Sequence, residues 1–257
     1  MNKFIIPTNM NHSGVKTIFT TRMDGDRKDP LKGFNLSFIN GVSEESCGEE
    51  KSIIENRSYL ASFLGVNLDS LVIPVQRHTD KVWIISETSI QSPIEADAII
   101  TSMRGIVLGV LVADCVPILI YDPDSEVISA IHAGWRGTAS GIIKKVLDIM
   151  NKKFNTSISK TIISIGPSIR WCCYEVDPDV LKAVEKETGN LKEYSKGKDN
   201  GKYYIDLALA NQIQAVSLGA SNIWISEECT HCNPERFYSY RYYKGVTGRQ
   251  GGFIGII

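Results

Sequence analysis

The chain has 257 residues, of which 43% are hydrophobic and 22% are charged, and its formal net charge is −1. This composition supports a substantial core and provides no general electrostatic attraction to nucleic acid or to an anionic membrane. The first apolar run ends at Pro7, and no apolar run approaches the roughly 18 residues of a membrane span, so we expect a soluble, cytoplasmic protein. Six cysteines in a chain of this length favour metal binding, catalysis or burial over a secreted disulfide framework.

Apolar runs rich in β-branched residues predict strands along most of the chain. These runs are 17–21, 71–76, 82–86, 98–101, 106–112, 117–121, 127–131, 161–165 and 223–226. Helical periodicity is present at 49–64, 138–154, 178–188 and 205–218.

Hairpins dominate the centre of the chain, and strands and helices do not alternate one by one. The pattern therefore predicts an α+β fold in which mixed, largely antiparallel sheets pack in layers with flanking helices. No linker divides the chain, so we predict one domain over residues 1–257. The polar stretch 192–202, which contains two glycines, is predicted to be a loop.

The most informative part of the sequence is residues 113–137, where two apolar segments flank a turn at 122–125 and predict an antiparallel hairpin. In the register that pairs Tyr121 with Glu126, Cys115 lies opposite His132. Directly opposed residues hold their Cβ atoms about 4.5–5.5 Å apart. A thiolate and an imidazole at that separation can share one metal ion or one proton.

His78 follows another predicted strand and supplies a third candidate ligand. Two histidines and one cysteine form a zinc set with three protein ligands, and such a set leaves the fourth tetrahedral position open, as in catalytic zinc sites. Two other interpretations remain open from the residues alone. The histidines could be buried and hydrogen-bonded, or Cys115 and His132 could form a thiolate–imidazolium nucleophile pair.

A glycine turn at 134–137 leads from the hairpin into the next predicted helix. Backbone N–H groups at a helix start, with Arg136 beside them, suit a phosphate group. Asp114 is a candidate acid or base, but neighbouring residues of an ideal strand face opposite sides, so the strand must end or bulge there. The alternative for Asp114 is a role in orienting other groups or in capping a turn.

A rival group consists of four cysteines in two short motifs. They are Cys172, Cys173, Cys229 and Cys232. A C-x-x-C motif together with a vicinal pair could bind a second zinc or act in redox chemistry, but paired zinc knuckles usually contain two C-x-x-C elements. We therefore expect these side chains to pack and to line a pocket.

Several motifs in order resemble the laccase-domain proteins. They are ADC at 113–115, HAGWRG at 132–137, GPSI at 166–169, CYEV at 173–176, FYSYR at 237–241 and TGR at 247–249. The resemblance runs through nearly the whole chain. This family was long labelled multi-copper polyphenol oxidoreductases and is similar in its layered fold to the toxin cysteine deamidases.

The resemblance implies a zinc-dependent purine nucleoside enzyme. Its expected reactions are the phosphorolysis of adenosine, inosine and S-methyl-5′-thioadenosine and the deamination of adenosine. The zinc ligands of the family correspond to His78, Cys115 and His132, and copper is the alternative ion. The candidate catalytic residues are Asp114 and Arg136, and the candidate contacts to phosphate or nucleoside are Arg22, Asn35, Arg57, Gln76, Arg136, Arg241 and Arg249. Nucleic acid and membranes are not expected partners.

The chain departs from the family pattern at Thr79, where glycine is common, and at Tyr242, where a second arginine is common. Laccase chemistry is disfavoured because multicopper oxidases need further histidine-rich copper sites, and only His12 and His231 remain. A copper-dependent polyphenol oxidase is therefore a less favoured alternative. A hydrolase or deamidase that uses Cys115 is the second enzyme class, and a metal-binding scaffold for a partner protein is the non-enzyme alternative.

Overall fold

Two β-sheets stacked face to face form the centre of the protein, and helices cover their outer faces. The computed structural model describes residues 4–23, 27–38, 47–86 and 94–257, with the backbone alone at 47–49. Within these ranges no helix has both the length and the apolar character needed to cross a membrane. The layered α+β arrangement confirms the fold class predicted from the sequence.

The first sheet has five strands, in the spatial order β1 (Phe4–Ile5), β2 (Val15–Thr20), β14 (Gln250–Ile256), β6 (Val107–Val112) and β3 (Leu71–Val72). The second sheet has six, in the order β13 (Asn222–Ile225), β9 (Ile162–Ile165), β7 (Val116–Asp122), β8 (Val127–Ala133), β5 (Ala98–Thr101) and β4 (Val82–Ile85). A small third sheet contains β10 (Glu175–Val176), β12 (Tyr203–Ile205) and β11 (Ser195–Gly197). Three neighbouring pairs are parallel, β3 with β6, β4 with β5 and β9 with β13.

The helices are α1 (Cys47–Leu64), α2 (Trp135–Ala139), α3 (Ile142–Phe154), α4 (Pro178–Thr188), α5 (Leu191–Tyr194) and α6 (Leu207–Ser217), with 3₁₀ turns at Leu68–Ser70 and Ile158–Lys160. The helix predicted at 138–154 is divided into α2 and α3, because Gly141 between them adopts a left-handed backbone with φ of 66°.

Strands β7 and β8 lie in the middle of the molecule, and all of their residues are buried. Ile118 and Ile120 pack with the helix layer, whereas Leu119 and Tyr121 pack with the other sheet. This division follows from the alternation of side chains along a strand. Burial on both faces explains why the segment is continuously apolar instead of alternating.

The central hairpin is confirmed, but its predicted register is wrong. Pro117, and not Cys115, pairs with His132, and the ladder extends to a pair between Asp122 and Val127. The turn begins one residue later than predicted, which shifts the pairing by two positions. Because side chains repeat every two residues, a shift of two preserves the face of each side chain. Cys115 therefore still reaches the face that carries His132.

Two other predictions need correction. The stretch 192–202 is not simply a loop, because it contains part of α5 and all of β11. Strand β14 has no counterpart among the predicted strands, since three of its seven residues are glycine. The structure gives the reason for one of these glycines: a Cβ atom at Gly251 would lie 2.5 Å from the carbonyl oxygen of Val110 on the neighbouring strand.

Candidate metal centre

Three side chains from different parts of the chain converge at one end of the strands of the six-stranded sheet. The ligand atoms of His78, Cys115 and His132 all lie within 4.8 Å of one another. Nε2 of His78 is 3.8 Å from Sγ of Cys115, and the two imidazole rings are nearly perpendicular with centroids 4.8 Å apart. The set predicted from the sequence is thus brought together in space.

Unusual backbone conformations direct two of the ligands toward the site. His78 itself has a φ of 58°, and Asp114, the residue before Cys115, has a φ of 87°. Both values lie in the left-handed region that non-glycine residues rarely adopt. The turn at Asp114 separates β6 from β7 and directs the next residue, Cys115, toward the histidines. Such strain persists only where surrounding contacts hold it in place.

The buried carboxylate of Asp97 supplies many of those contacts. Its Oδ1 lies 2.8 Å from Nδ1 of His132 and accepts the backbone N–H of His78 at 3.0 Å. Its Oδ2 accepts the backbone N–H and the hydroxyl of Thr79, both at 2.7 Å, and the N–H of Arg77 at 3.2 Å. Burial by itself raises the pKa of Asp97, but the bonds from His132 and Thr79 outweigh it and hold the pKa well below its usual range.

Sequence reasoning missed Asp97. A carboxylate directly before the apolar strand β5 is the signal that could have indicated it, because polar groups collect where strands begin and end. Thr79, one of the two departures from the family pattern, contributes a hydroxyl to this carboxylate that glycine cannot provide.

Cys115 and His132 influence each other's protonation. Burial raises the pKa of the Cys115 thiol, but the charge and hydrogen bond of His132, together with the hydrogen bond from His78, lower it to about 6. Burial lowers the pKa of His132, but the Cys115 thiolate and Asp97 raise it to about 9. The thiolate form that metals require is therefore accessible at neutral pH.

The donor set fits a divalent metal with borderline softness. A thiolate and two imidazoles are ligands that zinc and copper both accept. Asp97 binds Nδ1 of His132 and so leaves Nε2 for the metal, which is the usual carboxylate–histidine arrangement of metal sites. Gly134 keeps the space open, because a Cβ there would lie 3.2 Å from Sγ of Cys115 and 3.0 Å from Cδ2 of His78.

Asp114 meets the condition that the sequence set for it, since β6 ends at Val112 and β7 begins at Val116. Its carboxylate is buried, and both oxygens are used. Oδ1 accepts the hydroxyl of Thr230 at 2.6 Å, and Oδ2 accepts the backbone N–H of Arg241 at 2.7 Å. These contacts favour the orienting alternative over an acid or base.

Tyr174 is a neighbour of the centre that the sequence did not single out. Burial and the nearby Cys115 thiolate raise the pKa of its phenol to about 12. Arg241 and Arg136 oppose that increase, so these two cations also lie near the phenol. The guanidinium of Arg241 is 5.2 Å from the centroid of the Tyr174 ring.

Two further arginines near the centre, Arg136 and Arg249, differ in their exposure and contacts. Arg136 is exposed and lies over the ring of Trp135 at 4.3 Å. Arg249 is partly buried, which lowers its pKa, and the negative charge of the Cys115 thiolate opposes that decrease. Asn35 positions Arg249, because its Oδ1 accepts the Arg249 backbone N–H at 2.9 Å.

The prediction that Arg22 contacts substrate is wrong. Its side chain is completely buried, and its guanidinium donates to the carbonyl oxygens of Lys32 and Pro234 and to the hydroxyl of Tyr243. Arg22 therefore joins the N-terminal and C-terminal segments of the chain.

Gln76 and Arg57 are also engaged with the backbone. The Gln76 amide donates to the carbonyl oxygen of Leu111 at 2.7 Å and accepts its N–H at 2.8 Å, which extends the edge of the sheet. Nε of Arg57 donates to the carbonyl oxygen of Leu36 at 2.8 Å, and burial lowers the pKa of Arg57 to about 10. These contacts assign a structural role to Gln76 in place of the predicted substrate contact.

The four remaining described cysteines form a second cluster. The Sγ atoms of Cys172, Cys173, Cys229 and Cys232 all lie within 4.8 Å of one another. Because Cys172 and Cys232 are exposed, these two side chains do not pack in the core.

A family model described as multi-copper polyphenol oxidoreductase laccase matches residues 16–257. Adenosine deaminase RL5 from an unknown prokaryotic organism is 35% identical to the chain over 254 residues, which cover 95% of this chain and 94% of that protein. Purine nucleoside phosphorylase from Bacteroides thetaiotaomicron is 31% identical over 250 residues, which cover 93% of this chain and 90% of that protein.

Solved structures share the same fold. YlmD from Geobacillus stearothermophilus superposes with a TM-score of 0.86 at 29% identity, over 95% of this chain and 92% of that chain. The hypothetical protein YfiH from Bacillus licheniformis gives a TM-score of 0.89 at 27% identity, and both chains are covered completely. These likenesses agree with the resemblance that the sequence motifs indicate.

Removing the charge of Asp97 should weaken metal binding without removing a ligand. We expect Asp97→Asn to lower zinc affinity by about 10- to 100-fold, because the imidazole of His132 loses its oriented acceptor. Competition with a chromophoric chelator measures the affinity. Asp80→Asn is the matched control, since Asp80 pairs with Lys145 at 2.8 Å at the surface and should leave the affinity unchanged. Equal affinities for Asp97→Asn and Asp80→Asn would contradict the role of Asp97.

Metal affinity should also depend on pH, because protons compete for the donor atoms. With pKa values of about 9 for His132 and about 6 for Cys115, binding between these values displaces a proton from His132, and below pH 6 it displaces another from Cys115. The logarithm of the zinc association constant should rise by about one per pH unit over the upper range and more steeply below it. Chelator competition across the range tests this, and a flat profile would show that the groups do not ionise in this way.

Proposed function

The chain belongs to the multi-copper polyphenol oxidoreductase laccase family, and from this premise we propose that it is a purine nucleoside phosphorylase that also deaminates adenosine. The proposed phosphorolysis substrates are adenosine, inosine and S-methyl-5′-thioadenosine. The observation that carries the proposal is the convergence of His78, Cys115 and His132. Three protein ligands are the set typical of catalytic zinc sites, in which the fourth position would be available to water or substrate. Relatives named adenosine deaminase and purine nucleoside phosphorylase support the same substrate class.

His78, Cys115 and His132 would hold zinc. When bound, zinc would supply a Lewis acid that polarises a substrate oxygen or lowers the pKa of a water molecule. Zinc is preferred to copper because two histidines and one cysteine match the three-ligand sets of catalytic zinc sites, while oxidase chemistry needs several copper ions. Among the described residues, the other two histidines, His12 and His231, belong to neither ligand cluster and pack against tyrosines.

Arg136 would bind the phosphate co-substrate. Its guanidinium is exposed and stacked on Trp135, so its position is fixed while its donors face solvent. Arg241 and Arg249 add positive charge near the site, since Arg241 interacts with Tyr174 and Arg249 interacts with Cys115. In phosphorolysis, a phosphate oxygen attacks the anomeric carbon, the bond from that carbon to the base nitrogen breaks, and the electron pair leaves with the base.

The departing base needs a proton or a hydrogen-bond donor. Tyr174 fits this role because its pKa of about 12 keeps the phenol protonated at neutral pH. Asp114 is a positioning residue in this scheme, since it holds the backbone of Arg241 and the hydroxyl of Thr230. Deamination of adenosine replaces the amino group by water and releases ammonia, so it requires no phosphate.

One observation favours a second candidate function. The pKa of Cys115 is lowered to about 6, a value typical of nucleophilic cysteines, and a cysteine hydrolase or deamidase would use that thiolate with His132 as the base. Metal content separates the two functions. A stoichiometric ion that is lost on Cys115→Ala supports the nucleoside enzyme, whereas a metal-free active protein supports the hydrolase.

Phosphate dependence distinguishes the two nucleoside reactions. We expect release of hypoxanthine from inosine to require phosphate and to yield ribose 1-phosphate, because phosphate is the nucleophile. Conversion of adenosine to inosine should proceed at the same rate without phosphate. Chromatography of the products with and without phosphate measures both reactions. Free ribose released at an equal rate in phosphate-free buffer would identify a hydrolase instead.

Arg136→Ala should separate the two reactions further. The loss of a charge-assisted contact to phosphate costs about 1.5–3 kcal/mol, so phosphorolysis should fall by roughly 10- to 100-fold at unchanged metal content. Deamination should fall much less, and Arg136→Lys should restore phosphorolysis only in part because lysine lacks the bidentate geometry. Arg104→Ala is the matched control, since Arg104 pairs with Glu126 at the far end of the hairpin. Equal losses in both reactions would show that Arg136 does not act on phosphate.

A further inference from the structure

The second cysteine cluster lies outside the chemistry described so far. It combines the vicinal pair Cys172 and Cys173 with the C-x-x-C pair Cys229 and Cys232. Sγ of Cys232 is 3.6 Å from Sγ of Cys172 and 3.3 Å from Sγ of Cys173. No residue of the first centre belongs to this cluster, and the nucleoside reactions do not use it.

We propose that these four cysteines form a second, structural zinc site. Zinc–sulfur distances of about 2.3 Å in a tetrahedron place the sulfur atoms roughly 3.8 Å apart. The sulfur atoms of the cluster all lie within 4.8 Å of one another, which is close to that spacing. An iron–sulfur cluster requires thiolates that are further apart, because its inorganic core lies between them.

The topology of the sheet brings the two cysteine pairs together. Strands β9 and β13 are parallel neighbours, so the loops that follow them begin at the same end of the sheet. Cys172 and Cys173 lie in the loop after β9, and Cys229 and Cys232 in the loop after β13. A bridge between Ser168 and Cys229 joins these loops through the backbone. The backbone therefore places both pairs at the same end of the sheet.

Two hydrogen bonds hold Cys229 in place, one to its sulfur atom and one to its carbonyl oxygen. Its Sγ accepts the backbone N–H of Arg170 at 3.5 Å, and its carbonyl oxygen accepts the side-chain amide of Asn233 at 3.1 Å. Hydrogen bonds of this kind orient ligands and stabilise their charge in metal sites. Cys229 is buried while Cys172 and Cys232 are exposed, which leaves a path by which an ion can enter.

The composition of the cluster indicates a structural role for the ion. Four thiolates complete the tetrahedron, so no position is left for water or substrate, unlike in the first centre. The ion would connect the two loops directly beside the nucleoside site, because Tyr174 follows Cys173 and Thr230 follows Cys229. Thr230 in turn donates to Asp114. The proposed zinc would thereby hold two residues that border the first centre.

Metal analysis of the purified full chain by native mass spectrometry and elemental analysis tests the proposal. We expect two zinc ions per chain in the wild type, one in Cys232→Ser, one in His132→Ala and none in the combined variant. Cys232 is exposed, so its replacement by serine leaves the core intact. Cys47→Ser is the matched control, because Cys47 belongs to none of the sequence motifs of the two clusters, and we expect this variant to retain both ions.

Cobalt(II) binding to the His132→Ala variant gives a second measurement. We expect the intense visible bands of tetrahedral tetrathiolate cobalt, and we expect Cys172→Ser in the same background to abolish them. A wild type with a single zinc that Cys232→Ser retains would overturn the proposal. An intact mass lower by two hydrogens, from a disulfide within the cluster, would overturn it as well. Because zinc counts do not depend on nucleoside turnover, failure of this proposal is distinguishable from failure of the proposed function.

Discussion

The geometry of the metal centre depends on one buried carboxylate. Asp97 accepts hydrogen bonds from the backbone of three successive residues, 77–79, and also binds the ring of His132. These bonds connect a loop between two strands to the central hairpin. A single anion thus fixes both the left-handed backbone at His78 and the ring orientation of His132, and its own charge is stabilised by the same donors.

The ligand residues could be predicted from the sequence because each of them lies next to an apolar strand, which is a local feature of the chain. His132 lies at the end of a strongly apolar strand, and Cys115 lies at the start of its hairpin partner. The error in the predicted register left this prediction unchanged, since a shift by two residues keeps Cys115 and His132 on the same face of the hairpin. Periodicity likewise indicated the helices and the layered arrangement.

Features that depend on distant contacts could not be predicted in this way. Asp97 resembles any acidic residue before a strand until its partners are known, and these partners lie 18 to 35 positions away in the sequence. The family resemblance made Arg22 a candidate contact for phosphate or nucleoside, but its side chain is completely buried and donates to carbonyl oxygens. Gly251 of strand β14 is required for a steric reason that becomes visible only when its neighbour Val110 on the adjacent strand is known.

The left-handed conformation of His78 has a consequence for how the site can be lost. A strained backbone at a β-carbon-bearing residue costs of order 1–3 kcal/mol, and here hydrogen bonds to Asp97 offset that cost. The position of one ligand therefore depends on a residue that is not itself a ligand. A related chain that keeps both histidines and the cysteine but lacks the carboxylate would have the full ligand composition and an incomplete site.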